Sequence, residues 1–113
     1  MRLPVNTRVF IAVGSTDMRK AINGLSLLVS DHFEKDVFSG NLFAFCNRRR
    51  DIIKILFWDK NGFCIWHKRL EKERFHWPQV EAEVLGIDHE KLSWLLAGLD
   101  INTAHKQLSF NEI

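Results

Sequence analysis

The 113-residue chain is predicted to be a single α+β domain. The expected order is an N-terminal strand, a helix packed on a strongly twisted antiparallel three-stranded meander, and a C-terminal helix. Three observations carry this. Apolar runs rich in Ile, Phe and Trp follow one another between residues 42 and 68, separated by turn-forming residues. On either side of them apolar residues recur at helical rather than alternating spacing. The length suits one hydrophobic core and is too short for two.

Arg8-Val-Phe-Ile-Ala-Val13 is β-branched and aromatic and stops at Gly14, so it reads as the first strand, and its near-continuous apolarity implies burial on both faces. Ser15-Thr16-Asp17 offers a hydroxyl cap and an acid for a first helical turn. Met18, Ile22, Leu25, Leu28, Val29 and Phe33 then keep near-helical spacing, predicting a helix over roughly 17–34. Asn23-Gly24 interrupts it. Either a short turn over 17–22 precedes a main helix from Gly24, or the missing side chain lets a strand pack closely.

The meander strands are Leu42–Cys46, Ile52–Trp58 and Phe63–Lys68. Alternation puts Ile53, Ile55 and Phe57 on one face and Lys54, Leu56 and Trp58 on the other. The first link is Asn47-Arg-Arg-Arg-Asp51; the second is Asp59-Lys-Asn-Gly62, whose Asn-Gly pair suits the positive φ of a tight hairpin. Leu70 to Pro78 mixes charge with aromatics and reads as a strand extension, a twist away from the sheet, or a loop. Asp88 is the expected cap of a last helix, with Leu92, Leu95, Leu96 and Leu99 as its apolar stripe and Gly98 near its end. Residues 1–101 are the expected domain and 102–113 a mobile tail.

Composition narrows the function. No apolar stretch nears the ~18 residues of a membrane span, and MRLPVNTRVF lacks a signal peptide's apolar run, so a cytoplasmic protein is expected. Cys46 and Cys64 lack the spacing of a zinc site and read as buried free thiols. No GxxxxGK[ST], GxGxxG or GxSxG occurs. Histidines 32, 67, 76, 89 and 105 form no HxxxH or HExxH, and the carboxylates fall at turns and on helices. No catalytic residue, metal or cofactor is indicated.

Net charge is +2 but uneven: residues 47–74 hold nine Lys/Arg against four Asp/Glu, whereas 75–113 hold two against six. Such asymmetry makes a local patch attractive to phosphates. Arg48, Arg49, Arg50, Lys54, Lys68, Arg69 and Arg74 are interleaved with Trp66 and Trp77, a mixture in which cations meet phosphates and aromatic faces stack on bases. The 47–51 and 59–62 turns fall at opposite ends of a meander, so the cations cannot all share one spot unless the sheet curls.

The ordered blocks Thr16-Asp-Met-Arg-Lys20, Asn23-Gly-Leu25, Phe38-Ser-Gly40, Leu42-Phe-Ala-Phe45, Asn47-Arg-Arg-Arg50, Ile53-Lys-Ile-Leu-Phe-Trp-Asp59, Asn61-Gly-Phe-Cys-Ile-Trp-His-Lys-Arg-Leu-Glu71 and Arg74-Phe-His-Trp-Pro78 resemble the small TnpB-type accessory protein of bacterial insertion sequence family sixty-six. Unrelated RNA-guided nucleases share that name, and none of their features is implied. The resemblance implies a protein encoded beside a separate, larger transposase, assisting transposition by contact with DNA or with the transposase, and it brings no catalytic residues. The family's turn usually reads Arg-Arg-Gly-Asp, so Arg50 stands where glycine is usual. Either the turn is reshaped, or the third arginine is not needed.

The expectation is a non-enzymatic transposition accessory protein contacting DNA through the basic hairpin region. Arg48, Arg49 and Arg50 would hold phosphates, with the first two the favoured contacts; Lys54, Lys68, Arg69 and Arg74 would continue the path, and Trp66 or Trp77 would stack. The alternative is an interaction module that binds the transposase or self-associates through exposed aromatics and an unpaired sheet edge, without touching DNA.

Overall fold

The computed structural model describes residues 3, 4, 6–79 and 84–99; the expected tail at 102–113 lies outside them. In chain order the elements are β1 (Val9–Ala12), α1 (Ile22–Leu27) continued by a π-helical turn (Leu28–His32), β2 (Leu42–Cys46), β3 (Ile52–Asp59), β4 (Gly62–Arg69), β5 (Val84–Ile87) and α2 (His89–Leu96). Among the described residues no helix is long and apolar enough to cross a membrane.

The strands form one mixed five-stranded sheet in the order β4-β3-β2-β1-β5. The antiparallel run of β2, β3 and β4 is present, with Cys46 opposite Ile53 and Ile55 opposite Trp66. It is part of a larger sheet, because β1 lies parallel to β2, Val9 opposite Leu42. Parallel neighbours need a crossover, and α1 supplies it. The sequence reading missed β5, which pairs antiparallel with β1 and sets Gly86 opposite Phe10.

Strand alternation sorts the core into two layers. On one face Val9, Ile11, Leu42, Ala44, Ile53, Ile55 and Phe57 pack with Leu92 and Leu95 of α2. On the other, Phe43, Phe45 and Leu56 pack with Leu25, Val29 and Val37. The meander residues divide between faces as alternation demands. Asp88 caps α2 by accepting from the Lys91 N–H at 2.8 Å.

The first helix differs from expectation. It starts at Ile22, behind Ala21 with no side-chain cap, so Asn23-Gly24 lies in its first turn and interrupts nothing. A Cβ at Gly24 would come within 3.1 Å of the Lys20 side chain, which makes Lys20, not a strand, the close neighbour. Asp17 accepts from the Arg19 N–H at 2.9 Å in a local turn of its own. In the 59–62 hairpin the positive φ falls on Lys60, at 53°, and Gly62 is already the first residue of β4.

The segment after β4 is a strap across the ends of the strands. The Leu70 N–H donates to the Asp51 carbonyl at 2.8 Å and the Phe75 N–H to the Arg50 carbonyl at 2.7 Å. Further on, the Gly14 N–H donates to the Pro78 carbonyl at 2.9 Å. Phe75 and Trp77 are buried in the layer beneath α2 and anchor the strap. The chain thereby crosses from the β4 edge to β1 at the end of the sheet that carries the arginine turn.

Candidate nucleic-acid interface

The arginine turn is held from within by Asn47. Its side-chain oxygen accepts from the Asp51 and Ile52 N–H groups, each at 3.0 Å, and its amide donates to the Asp51 carboxylate at 2.6 Å. The Arg50 N–H donates to the Asn47 carbonyl at 3.1 Å. Arg50 then takes φ 61°, the left-handed position that glycine usually fills in such hairpins. Of the two possibilities left by the Arg50 substitution, the geometry retained is the glycine-type turn, with arginine in it.

With the backbone engaged inward, Arg48, Arg49 and Arg50 are all exposed. The strap brings Arg74, also exposed, to the same turn. Its proximity registers on Asp51: the Asn47 hydrogen bond first, then the charges of Arg49 and Arg74, hold that carboxyl below its usual range against the opposing effect of desolvation. Arg69 sits at the same end, opposite Ile52, and is paired with Glu71 at 3.1 Å. Both partners are well exposed, so the pair contributes little to stability and a phosphate can compete for the guanidinium.

Four of the expected site residues have other work. Lys54 donates to the Met18 carbonyl at 2.9 Å and to the Lys20 carbonyl at 3.2 Å. Lys68 donates to the Leu96 carbonyl at 2.8 Å, satisfying an end of α2 that would otherwise lack a donor. Trp77 is 3% exposed and its Nε1–H donates to the Ala12 carbonyl at 2.8 Å, so no base can reach its face. Trp66 is half-buried against the same core. Burial removes Trp77 as a stacking platform and leaves Trp66 only part of its surface; the exposed large aromatic among the described residues is Phe38, beside Trp58 and Phe63 near the opposite, 59–62 end.

The reading of the basic hairpin missed Arg19 and Lys20. Both are exposed on the β1–α1 loop, which the Thr16 N–H ties to the Cys46 carbonyl at 2.8 Å, one residue before the arginine turn. The Arg19 guanidinium pairs with Asp17 at 2.7 Å, and those hydrogen bonds bring the Asp17 carboxyl down to about 2. Their nearness to the turn follows from the parallel pairing of β1 and β2, which no local pattern announces. Cys46 is buried and free, its thiol pushed up to about 12 by desolvation; Cys64 is free and half-buried. Among the described residues no group of three His, Cys, Asp or Glu is placed to hold a metal.

The sheet end therefore carries a rigid turn of exposed arginines, a strap that adds Arg74, and a loop that adds Lys20. A model of a protein family described as "IS66 Orf2 like protein" (TnpB_IS66) matches residues 7–106. Two Sinorhizobium fredii (strain NBRC 101917 / NGR234) proteins are similar. The uncharacterised protein y4hO is 40% identical over 95 residues, 84% of this chain and 83% of its own. The uncharacterised protein y4jC is 34% identical over 93 residues, 82% of this chain and 80% of its own. No solved structure shows significant similarity. With the family's match running from before β1 to beyond α2, the chain belongs to the IS66 Orf2-like family.

Proposed function

We propose that this transposition-associated protein is a non-enzymatic accessory factor that grips the phosphate backbone of DNA with the arginine end of its sheet, while a separate transposase supplies the strand chemistry. The observation that carries the reading is the stitching of the strap to the turn, through Phe75 to Arg50 and Leu70 to Asp51, which brings Arg74 to the turn, where its charge and that of Arg49 both act on Asp51. Cations carried on an already hydrogen-bonded backbone meet phosphates without the added cost of ordering a loop, and what each gives up is side-chain rotamer freedom. Burial of the Trp77 indole at this end favours backbone contact over base stacking, and hence little sequence preference.

The test is a salt titration of binding to a short duplex. Three to four phosphate contacts correspond to a log–log slope of about −3 to −4. A flat salt response, or unchanged affinity in an Arg48→Ala/Arg49→Ala double variant, would refute the placement.

A second reading has its own observation. Phe38 is 60% exposed and its ring meets Trp58 at 5.2 Å and Phe63 at 5.5 Å, while β4 is an edge strand beside them. An exposed phenylalanine on two half-buried rings beside an edge strand suits a protein partner, the transposase. Co-purification with the transposase from nuclease-treated extract, with no DNA shift by the isolated protein, would favour this reading.

A further inference from the structure

Two sets of bonds hold the β1–α1 loop to β2 and β3, the strands that flank the arginine turn. The Thr16 N–H donates to the Cys46 carbonyl at 2.8 Å, and the Lys54 ammonium, projecting from β3, binds the Met18 and Lys20 carbonyls at 2.9 and 3.2 Å. Lys54 thus acts as a positioning residue: its charge is spent on loop carbonyls, and what it presents to solvent is the pair Arg19 and Lys20. Between loop and helix lies an open pocket of about 300 Å³, its polar lining supplied by Ser15, Thr16, Asp17, Lys20 and His32. The pocket and the arginine turn both sit just beyond the carboxyl ends of the parallel strands β1 and β2, where open sheets with crossover helices commonly place ligands.

We infer that the β1–α1 loop is a second phosphate-contacting limb of the surface, with Lys20 as its contact, and with Asp17 restraining binding by holding the Arg19 guanidinium. This rests on the duplex-backbone reading above. Asp17 and Arg19 form a bidentate pair at 2.7 Å in which the arginine side chain is 91% exposed, so the guanidinium is accessible but already neutralised. Removing the carboxylate charge leaves a free cation next to Lys20. The loop would then offer two positive charges to the duplex instead of one net charge.

The experiment measures duplex affinity and salt slope for four variants alongside the unaltered protein. Lys20→Ala should weaken binding about 8-fold at 0.1 M salt and flatten the slope by about 0.9, the loss of one phosphate contact. Asp17→Asn, which keeps an oxygen for the Arg19 N–H, should tighten binding several-fold, a gain that partial unfolding cannot imitate. Lys91→Ala removes the same charge beside Ile87 and Arg8, at the opposite end of β1, and should change neither quantity. If Lys20→Ala and Asp17→Asn behave like Lys91→Ala while Arg48→Ala/Arg49→Ala weakens binding, the second limb is wrong and the duplex reading stands. If the unaltered protein shows no salt-dependent duplex binding, both are wrong.

Discussion

Arg50→Gly should stabilise the fold, although it removes a charged side chain and adds a flexible residue. Arg50 sits at φ 61°. A side chain with a Cβ in that region costs about 1–2 kcal/mol. Glycine is free of the penalty but gives back about 0.5–1 kcal/mol through the greater entropy of its unfolded chain. The balance is a gain of about 0.5–1 kcal/mol, or about 2–5 °C in Tm for a domain of this size. No native hydrogen bond is lost, because the bonds at Arg50 use its backbone: its N–H to Asn47 and its carbonyl from Phe75. Thermal and urea unfolding of Arg50→Gly beside Arg50→Ala decides the matter, since alanine keeps the Cβ and the strain. Glycine raising the midpoint while alanine does not is the expected result. A glycine variant no more stable than the alanine one would refute the strain argument. Duplex affinity should fall less than in Arg48→Ala/Arg49→Ala, because only one of the turn's cations is lost.

Other outcomes follow from single contacts. Trp77→Phe keeps most of the buried ring but leaves the Ala12 carbonyl without its indole donor, at a cost of about 1–3 kcal/mol in unfolding free energy. The Cys46 thiol, pushed up to about 12 by burial, should resist a thiol reagent at pH 8 in the folded protein and react once denaturant is added. The Asp51 carboxyl is held below its ordinary 3.8, so its contribution to stability is present above that pH and is lost as pH falls through the folded-state value. Asp51→Asn should therefore flatten the acid limb of a Tm–pH profile.

The meander was legible because period-two alternation and turn residues are local signals: the split of Ile53, Ile55 and Phe57 from Leu56 reappears as two core layers. The cap at Asp88 was legible for the same reason. The apolar run 9–12 announced burial on both faces but not which strands would flank it, so the parallel pairing with β2 stayed hidden. β5 is short and carries Gly86 where Phe10 lies opposite, a weak local strand signal rescued by its neighbour. Gly24 misled because glycine costs little in a helix's first turn.

At the site, the exposed turn arginines sit as local chemistry suggested, whereas the fates of Lys54, Lys68 and Trp77 depended on carbonyls 28 to 65 residues away in sequence. Arg19 and Lys20 escaped notice because they lie outside the basic segment and reach it only through tertiary pairing.

The central claim is that DNA meets this protein at the arginine end of the sheet. The direct measurement is an NMR titration of the labelled protein with a short duplex at low salt. The account predicts that the largest amide shifts cluster in residues 16–20, 48–51 and 70–75, with the 59–62 hairpin and Phe38 unmoved. Shifts centred on that hairpin and Phe38, or none at any accessible concentration, would contradict it.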